Sequence, residues 1–593
     1  MSYTTNLPVD APFSKEQRQW ISGYLSGLAS VSISEISEVT AVETVAQKTL
    51  LVLFGSQSGN AESLAKGIGK KAQEFGFGAK VKELNETSLD EVKTSANILL
   101  ATSTWGEGEM PDNAVDFWAN LSADDAIKMD GVNYSVLALG DTNYADFCEA
   151  GKNFDTRFEA LGARRVYPRV DCDVDFEEPA EEWIKGALSA MSEFAEDTSV
   201  SPSSDDLSAS DESLSSNGAI KYDRKNHFPA QLLDNRELNG KGSAKDVRHI
   251  AFSLEDSGLE YEVGDALGVM PENDEGYVDL LIKKLSASGD EKVETPDGVE
   301  CSLKEALLKS YDITKVSPKF LKLVAESSGS EKLASLLEKD HKKELDDYLW
   351  GRDPLDILTD FPCKLELAAF IETQKKLNVR LYSIASSPKA HPGEVHLTVG
   401  AVRWKHDGRS HGGVCSTFMA DRLPLGNKTG VFVQVSHGFR LPEDMDKPVI
   451  MVGPGTGIAP FRAFLEERSA TKATGKNWLF FGDQHADTDF LYREQLEEYK
   501  SSGLLNRLSV AFSRDQEKKI YVQTRMIEEA DELWSWLQEG AHFYVCGDAS
   551  RMAKDVDKAL HQIAMEKGGM SEDDAKAYIK QLKNDKRYQR DVY

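Results

Sequence analysis

The sequence predicts a multidomain α/β protein: a doubly wound parallel sheet, then a β-barrel interrupted by a helical insertion, then a second α/β domain. Three observations predict it. From Leu50 onward short apolar runs alternate with amphipathic helical stretches, the pattern of a parallel sheet covered on both faces. Between residues 219 and 447 the apolar runs are β-like and surround a charged helical stretch. At Pro448 a strand runs into a glycine-rich turn and then a helix, the order that builds a dinucleotide site.

A chain of 593 residues holds about three or four domains, each able to bury its own core. The expected boundaries are a helical segment at 1–47, an α/β domain at 48–196, a flexible linker at 197–218, a barrel at 219–447 with its insertion at about 275–378, and a final domain at 448–593. A formal net charge of -30 argues against nucleic acid and anionic membranes as partners and favours a basic protein partner. No apolar run reaches membrane-spanning length, and Met1 to Trp20 lacks the core of a signal peptide, so a cytoplasmic protein is expected. Cys148, Cys172, Cys301, Cys363, Cys415 and Cys546 form no CxxC pair, which speaks against disulfides, structural zinc and iron–sulfur clusters. No metal site is expected.

In chain order, Ser14 to Gln17 resembles a capping box opening a helix whose face carries Trp20, Ile21, Tyr24, Leu25 and Leu28. That stripe covers either its own domain or a second copy of the chain. Leu50–Phe54, Asn97–Thr102, Tyr134–Leu139 and Arg165–Pro168 then read as strands, and ligands of such sheets sit beyond the carboxyl ends. After the first strand, Gly55, Ser56, Gln57, Ser58, Gly59, Asn60 and Ala61 open a helix, so amides and hydroxyls there can cradle a phosphate. The loop has no lysine, unlike a nucleoside triphosphatase loop, and a plain Gly/Ser turn would read the same way. Two further loops set one large aromatic among small residues: Ser103, Thr104, Trp105, Gly106, Glu107, Gly108, Glu109, and Leu139, Gly140, Asp141, Thr142, Asn143, Tyr144. Trp105 and Tyr144 can sandwich a flat ring. A terminal phosphate and a flat ring together point to FMN. Around it Glu107, Glu109, Asp112, Asp116, Asp124, Asp125, Asp130, Asp141, Asp146 and Glu149 face a single Lys128, either a rim that steers a basic redox partner or a merely solvated face.

The Ser/Asp-rich tract from Asp197 to Asn217 cannot bury a core and reads as a tether. In the barrel region, Asp246–Leu254, Glu394–Val402 and Val431–Val435 read as strands, and Arg380, Leu381, Tyr382, Ser383 form the seat of a second flavin. Period two sends Arg380 and Tyr382 to one side, where a guanidinium can hold a pyrophosphate and a phenol ring can cover an isoalloxazine, while Ser383 can bond the ring edge. Thr398, Val399, Gly400 and the turn Gly413, Val414, Cys415, Ser416 supply further pyrophosphate donors, which makes the ligand FAD. In the last domain Gly453 to Arg462, with Gly455 and Thr456, forms the dinucleotide turn. Ser513, Arg514, Lys519, Ile520, Tyr521, Val522 and Gln523 bring two cations, hydroxyls and a ring, which suits an adenosine 2'-phosphate, so NADPH is expected rather than NADH. Tyr544 to Asp548 ends another strand and sets Cys546 where a nicotinamide can lie.

With these loops, RLYSIASS, GPGTGIAPFR, YVCGD and a closing Arg590-Asp591-Val592-Tyr593 in this order, the chain resembles the diflavin reductases, and within them the flavoprotein subunits of NADPH-dependent sulfite reductases. The resemblance runs from about Thr49 to Tyr593 and implies a flavodoxin-like domain followed by a ferredoxin-NADP reductase-like pair. It adds Ala145, Asp146, Phe147 and Cys148 to the FMN contacts, Thr314, Trp404 and Tyr593 to the FAD contacts, and Asp555 to the NADP contacts. It implies hydride transfer at Ser383, Cys546 and Asp591, gated by Tyr593, and electron flow from NADPH through FAD and FMN to a siroheme and iron–sulfur hemoprotein subunit that reduces sulfite to sulfide. Trp404 stands where the family pattern has tyrosine, and Trp105 where that of the bacterial subunit has glutamine. The alternatives are a soluble reductase for another haem or flavodoxin-type acceptor and, from another class, a non-catalytic nucleotide sensor. A homo-oligomer through the N-terminal segment is also expected.

Overall fold

A computed structural model describes residues 48–56, 59–106, 108–142, 146–173, 176–194, 222–436 and 438–593. The expected helix over Ser14–Leu28, the linker at 197–218, and Gln57, Ser58, Glu107, Asn143, Tyr144 and Ala145 lie outside the described residues.

The first sheet is parallel, in the order β2-β1-β3-β4-β5: β1 (Lys48–Gly55), β2 (Phe77–Glu83), β3 (Asn97–Ser103), β4 (Asn133–Leu139) and β5 (Arg164–Arg165), with β6 (Val170–Cys172) also paired to β4. The central strands are buried almost throughout because helices cover both faces. Helices Asn60–Lys71 and Glu177–Phe194 enclose one apolar cluster with Leu50, Val52 and Trp183. Phe117, Leu121, Phe154 and Phe158 fill the other side. The expected single strand Arg165–Pro168 is instead two short edge strands, since Pro168 has no amide to donate to the ladder between them. The edge strand β2 was not visible in the sequence because only Phe77 is fully buried in it.

The second sheet is antiparallel, in the order β14-β9-β18-β7-β8-β15, from β7 (Phe228–Glu237), β8 (Val247–Ser253), β9 (Ala266–Val269), β14 (Arg380–Ser383), β15 (Glu394–Gly400) and β18 (Lys428–Gln434). A bridge between Ile384 and Leu397 joins its two ends, so the six strands close into a barrel around Ile250, Phe252, Leu267 and Val395. The insertion between β9 and β14 is helical and has its own apolar cluster, including Leu281, Leu307, Phe320 and Phe370. It carries two small ladders, β10 (Lys292–Glu294) with β11 (Glu300–Ser302) and β12 (Tyr311–Asp312) with β13 (Lys375–Lys376). Between β15 and β18 the hairpin of β16 (Arg403–His406) and β17 (Arg409–Gly412) stands apart from the barrel sheet.

The last sheet is parallel, in the order β21-β20-β19-β22-β23: β19 (Val449–Val452), β20 (Asn477–Asp483), β21 (Arg507–Phe512), β22 (His542–Gly547) and β23 (Tyr588–Val592). Its two faces are filled around Trp478, Phe480 and Trp536 on one side and Phe461, Phe464 and Tyr544 on the other. No helix among the described residues is long and apolar enough to cross a membrane.

Candidate functional site

Strand order in the first sheet reverses between β1 and β3, and loops leaving β1, β3 and β4 gather at that switch point. Gly59 adopts φ 88°, and its amide donates to Ser56 Oγ at 2.9 Å, which bends the loop into helix Asn60–Lys71. The N-cap Gly59 has no side chain to cap that helix, which suits first-turn amides that receive an anion. The second loop is a hairpin in which Trp105 and Glu109 exchange two backbone bonds of 2.9 and 2.7 Å, with Gly106 and Gly108 at positive φ. The third loop returns beside it: a Cβ on Gly108 would lie 2.9 Å from Asp146 Cβ. Thr104 Oγ1 accepts from Ala150 N at 3.2 Å, and Thr142 N donates to Asp173 Oδ1 at 2.9 Å. Cys148 is buried, and burial raises its thiol pKa, which makes it a wall residue rather than a nucleophile. These loops offer amides, hydroxyls and the Trp105 ring and bring no cation to the phosphate turn, which fits a neutral-donor phosphate site such as FMN requires.

The acidic rim finds partners within the chain. Glu109 pairs with Lys554 at 2.6 Å, Asp116 with Lys580 at 2.8 Å, and Asp112 with Arg590. Trp105 packs against the apolar cluster of the last domain that includes Ala549 and Met552. A cleft of about 420 Å³ lined by Trp105, Glu109, Asp112, Trp118, Lys554 and Arg590 runs along this seam. Lys375 of the insertion donates to Thr142 O at 3.2 Å. Sequence reading found the acids but not these cations, which lie more than four hundred residues away along the chain.

In the barrel, Arg380 and Tyr382 share one phase of β14 and Leu381 the other, as period two requires. Arg380 donates to Asn378 O at 2.9 Å and pairs with Asp312 Oδ2 at 3.5 Å, while Thr314 Oγ1 donates to Asp312 Oδ1 at 2.8 Å. Asp312, absent from the sequence expectations, thereby brings Arg380 and Thr314 together. Tyr382 packs against the barrel cluster that holds Cys415, and burial raises its phenol pKa. Trp404 stacks on His411 at 5.3 Å and 8°, donates Nε1–H to Gly351 O at 2.9 Å and stays 38% exposed, so its second face can take another ring. The turn before helix Val414–Thr417 is tight: a Cβ on Gly413 would meet Ser416 Oγ at 2.7 Å. The buried Thr398 hydroxyl bonds Tyr492 OH at 2.7 Å, and Val399 lies in the barrel core, so only their backbone faces the strand end. Their side chains are thus engaged elsewhere, and at this strand end Gly400 approaches Thr456 instead. A guanidinium, a half-exposed indole and a glycine turn fit the pyrophosphate and ring of FAD.

Ser383, Cys546 and Asp591 meet where the barrel touches the last sheet. Ser383 Oγ donates to Asp591 Oδ2 at 2.6 Å, and Cys546 Sγ lies 3.8 Å from the same oxygen. Register explains the second contact, since Cys546 and Asp591 are partners across β22 and β23. Burial raises the pKa values of both Asp591 and Cys546; the two hydrogen bonds only partly offset this for the carboxyl. Tyr593 follows directly: its amide donates to Gly547 O at 3.0 Å, its carbonyl accepts from Ala549 N at 3.1 Å, and its hydroxyl shares a 2.7 Å bond with Thr456 Oγ1. The residue is 59% exposed, so a fixed main chain presents an accessible ring.

Beyond β19 the glycine turn allows no side chains where it matters: a Cβ on Gly457 would sit 2.2 Å from Cys546 O, and one on Gly453 2.4 Å from Gly457 O. Gly455 adopts φ 58° near Asp483 and Lys245, which pair at 2.5 Å. Sequence reading missed both, although Asp483 ends β20 and accepts through its carbonyl from Ser513 N at 2.9 Å. Arg514 and Lys519 are exposed and have no ion-pair partner among the described residues, in a protein whose net charge is -30. Ile520 packs against the apolar cluster of this domain, Tyr521 is exposed, and Val522 is in the core. Gln523 Nε2 donates to Asp555 Oδ2 at 3.3 Å, uniting two expected contacts. Two unpaired cations flanking a dinucleotide turn fit a 2'-phosphate.

Comparison with known proteins agrees with this division of the chain. Family models match as Flavodoxin over residues 52–183, FAD binding domain over 220–418 and Oxidoreductase NAD-binding domain over 451–558. The curated "Sulfite reductase [NADPH] flavoprotein alpha-component" of Bacillus subtilis (strain 168) is 45% identical, covering 98% of this chain and 96% of the relative. That of Mannheimia succiniciproducens is 41% identical with 100% of each covered, and that of Vibrio parahaemolyticus 42% identical with 98% and 93% covered.

Proposed function

The chain belongs to the family of sulfite reductase [NADPH] flavoprotein alpha-components, and on that premise we propose that it conducts electrons from NADPH through FAD and FMN to a siroheme and iron–sulfur subunit that reduces sulfite to sulfide. The observation that carries this reading is the meeting of Ser383 from the barrel with Cys546 and Asp591 from the last sheet, one polar group of the flavin domain against two of the nicotinamide domain. When bound, the three nucleotides supply hydride transfer and single-electron transfer.

The residues bind, orient and gate. Arg514, Lys519 and Ser513 hold the 2'-phosphate, and the glycine turn lets backbone approach the pyrophosphate. Asp591 accepts from Ser383 and lies against Cys546, and so fixes both side chains in orientation. Arg380, Thr314 and the Gly413–Ser416 turn would hold the FAD pyrophosphate, and Trp404, Tyr382 and Tyr593 offer rings that would stack on its flat parts. Ser56, the amides that follow Gly59, and Trp105 hold FMN. Hydride moves without a separate proton, so no acid or base residue is needed.

A partner hemoprotein follows from the family, whose printed names describe a flavoprotein component. The apolar stripe of Trp20 to Leu28 supports a homo-oligomeric contact, and the absence of spanning helices among the described residues is consistent with a cytoplasmic setting. The test is direct. Purified chain should carry both flavins, NADPH should bleach their visible absorption, and addition of a purified siroheme subunit with sulfite should yield sulfide. A flavin band that NADPH leaves unbleached sinks the reading, and bleaching without sulfide assigns the electrons to another acceptor.

A further inference from the structure

The outer face of β15 carries a cluster that the reaction does not use. Val395, Leu397 and Val399 point into the barrel core, so Glu394, His396 and Thr398 share the opposite face. The preceding turn, with Gly393 at φ 77° and Glu394 N donating to His391 O at 3.2 Å, folds His391 back over that face. The rings of His391 and His396 lie 4.2 Å apart, and one ligand atom from each of His391, Glu394 and His396 lies within 4.8 Å of the other two. His396 is 5% exposed; its Nε2 meets Glu394 Oε2 at 2.9 Å, and its Nδ1 has no hydrogen-bond partner among the described residues. A buried nitrogen left unpaired costs stability unless something else binds there. Glu466, on helix Ala459–Ala470 of the last domain, reaches His391 Nε2 with Oε1 at 3.1 Å while also holding Arg462 at 2.7 Å.

A similar trio elsewhere is already filled. Asp353, Asp356 and His411 surround the Arg409 guanidinium, which lies 2.5 and 2.7 Å from the two carboxylates. Among the described residues, no such cation sits between His391, Glu394 and His396 themselves.

We propose that His391, Glu394 and His396 form a binding site for a divalent transition-metal ion of the zinc type, at the junction of the barrel with the last domain. Two imidazoles and a carboxylate are a ligand set zinc accepts, with a fourth position left for water or for Glu466. The His396–Glu394 hydrogen bond gives way to coordination. Glu394 begins β15 and Gly400 ends it, about 20 Å further along at the usual strand rise, so the ion stands away from the flavin end.

Chelator-treated holoprotein, dialysed against zinc chloride and assayed for bound metal, tests this. About one zinc per chain should be retained saturably, and His391→Gln and Glu394→Gln should each weaken retention by about tenfold or more. Both side chains are partly exposed, and unchanged flavin content in each variant verifies folding. Cys301 and Cys363 are the partly exposed thiols that could hold zinc instead. Retention that survives both substitutions and disappears in Cys301→Ser or Cys363→Ser overturns the proposal, as does the lack of saturable uptake.

Discussion

The Ser383 hydroxyl donates to Asp591 across 2.6 Å, and through that bond the flavin strand of the barrel touches the outermost strand of the last sheet, 208 residues further on. Losing a charge-assisted hydrogen bond costs about 1.5–3 kcal/mol, so Asp591→Asn should slow NADPH-driven reduction of FAD roughly ten- to a hundredfold with FMN content intact. Stopped-flow absorbance measures it, and an unchanged single-turnover rate would remove Asp591 from the reaction.

The same carboxyl makes a pH prediction. Burial holds Asp591 above its ordinary 3.8, so the ionised form is lost as pH falls through that raised value, and the reduction rate should fall with it. Above that value ionised Asp591 is less favourable folded than unfolded, so Asp591→Asn should raise the melting temperature at neutral pH. Below the ordinary value both states are protonated and the advantage should vanish. Calorimetry of both proteins across pH 3 to 7 checks the sign; an advantage independent of pH would point to a packing effect.

Arg514 and Lys519 stand exposed without ion-pair partners among the described residues. Arg514→Ala should raise KM for NADPH by roughly ten- to a hundredfold, the equivalent of one charge-assisted contact, and leave KM for NADH little changed. Equal effects on both cofactors would mean that the phosphate binds elsewhere.

Tyr593 is anchored through Gly547, Ala549 and Thr456 yet keeps an accessible ring. If that ring covers the flavin face that nicotinamide must reach, its stacking opposes productive binding. Tyr593→Ala should tighten binding of both NADP+ and NADH, narrow the preference for NADPH and slow turnover through slower release. Wild-type affinity, selectivity and flavin spectrum in the variant would exclude the ring from gating.

Among the described residues, three ion pairs and the Trp105 contact join the first and last domains. Two of these pairs, Lys554–Glu109 and Lys580–Asp116, are exposed, worth at most about 1 kcal/mol each and screened by salt, whereas Arg590–Asp112 is largely buried. Lys554→Glu combined with Lys580→Glu, or wild-type protein in concentrated salt, should therefore show a larger radius of gyration by small-angle scattering of the holoprotein. If the radius holds, the buried Arg590–Asp112 pair and apolar packing carry the seam, and Trp105→Ala combined with Asp112→Asn should open it instead.

Most strands that build the sites were legible. Leu50–Phe54, Asn97–Thr102 and Tyr134–Leu139 fall within β1, β3 and β4, because strands buried on both faces must be continuously apolar. β23 was not, since only Tyr588 and Val592 are buried among its charged and polar residues, too few to make a pattern. Asp591 was named by resemblance, while its partnership with Ser383 depends on register across two sheets. The acids of the rim were visible, but Lys554 and Lys580 read as ordinary surface charges, and Arg590 only as part of the closing motif, until folding brings them opposite. Asp312 and Asp483 escaped for a like reason: each acquires its cation through tertiary contact.

The barrel closes through one bridge, Ile384 to Leu397, directly after the strand that holds Arg380 to Ser383. On its other side that strand has a four-residue ladder with β9. A cylinder closed by so short a rung opens first there, and hydrogen exchange should report the Ala385 amide, which donates across the closure to His396 O at 2.7 Å, among the least protected of the barrel. A ligand seated along β14 holds the closing strand in place as a pin holds a hinge, so the barrel's resistance to heat becomes a property of flavin supply.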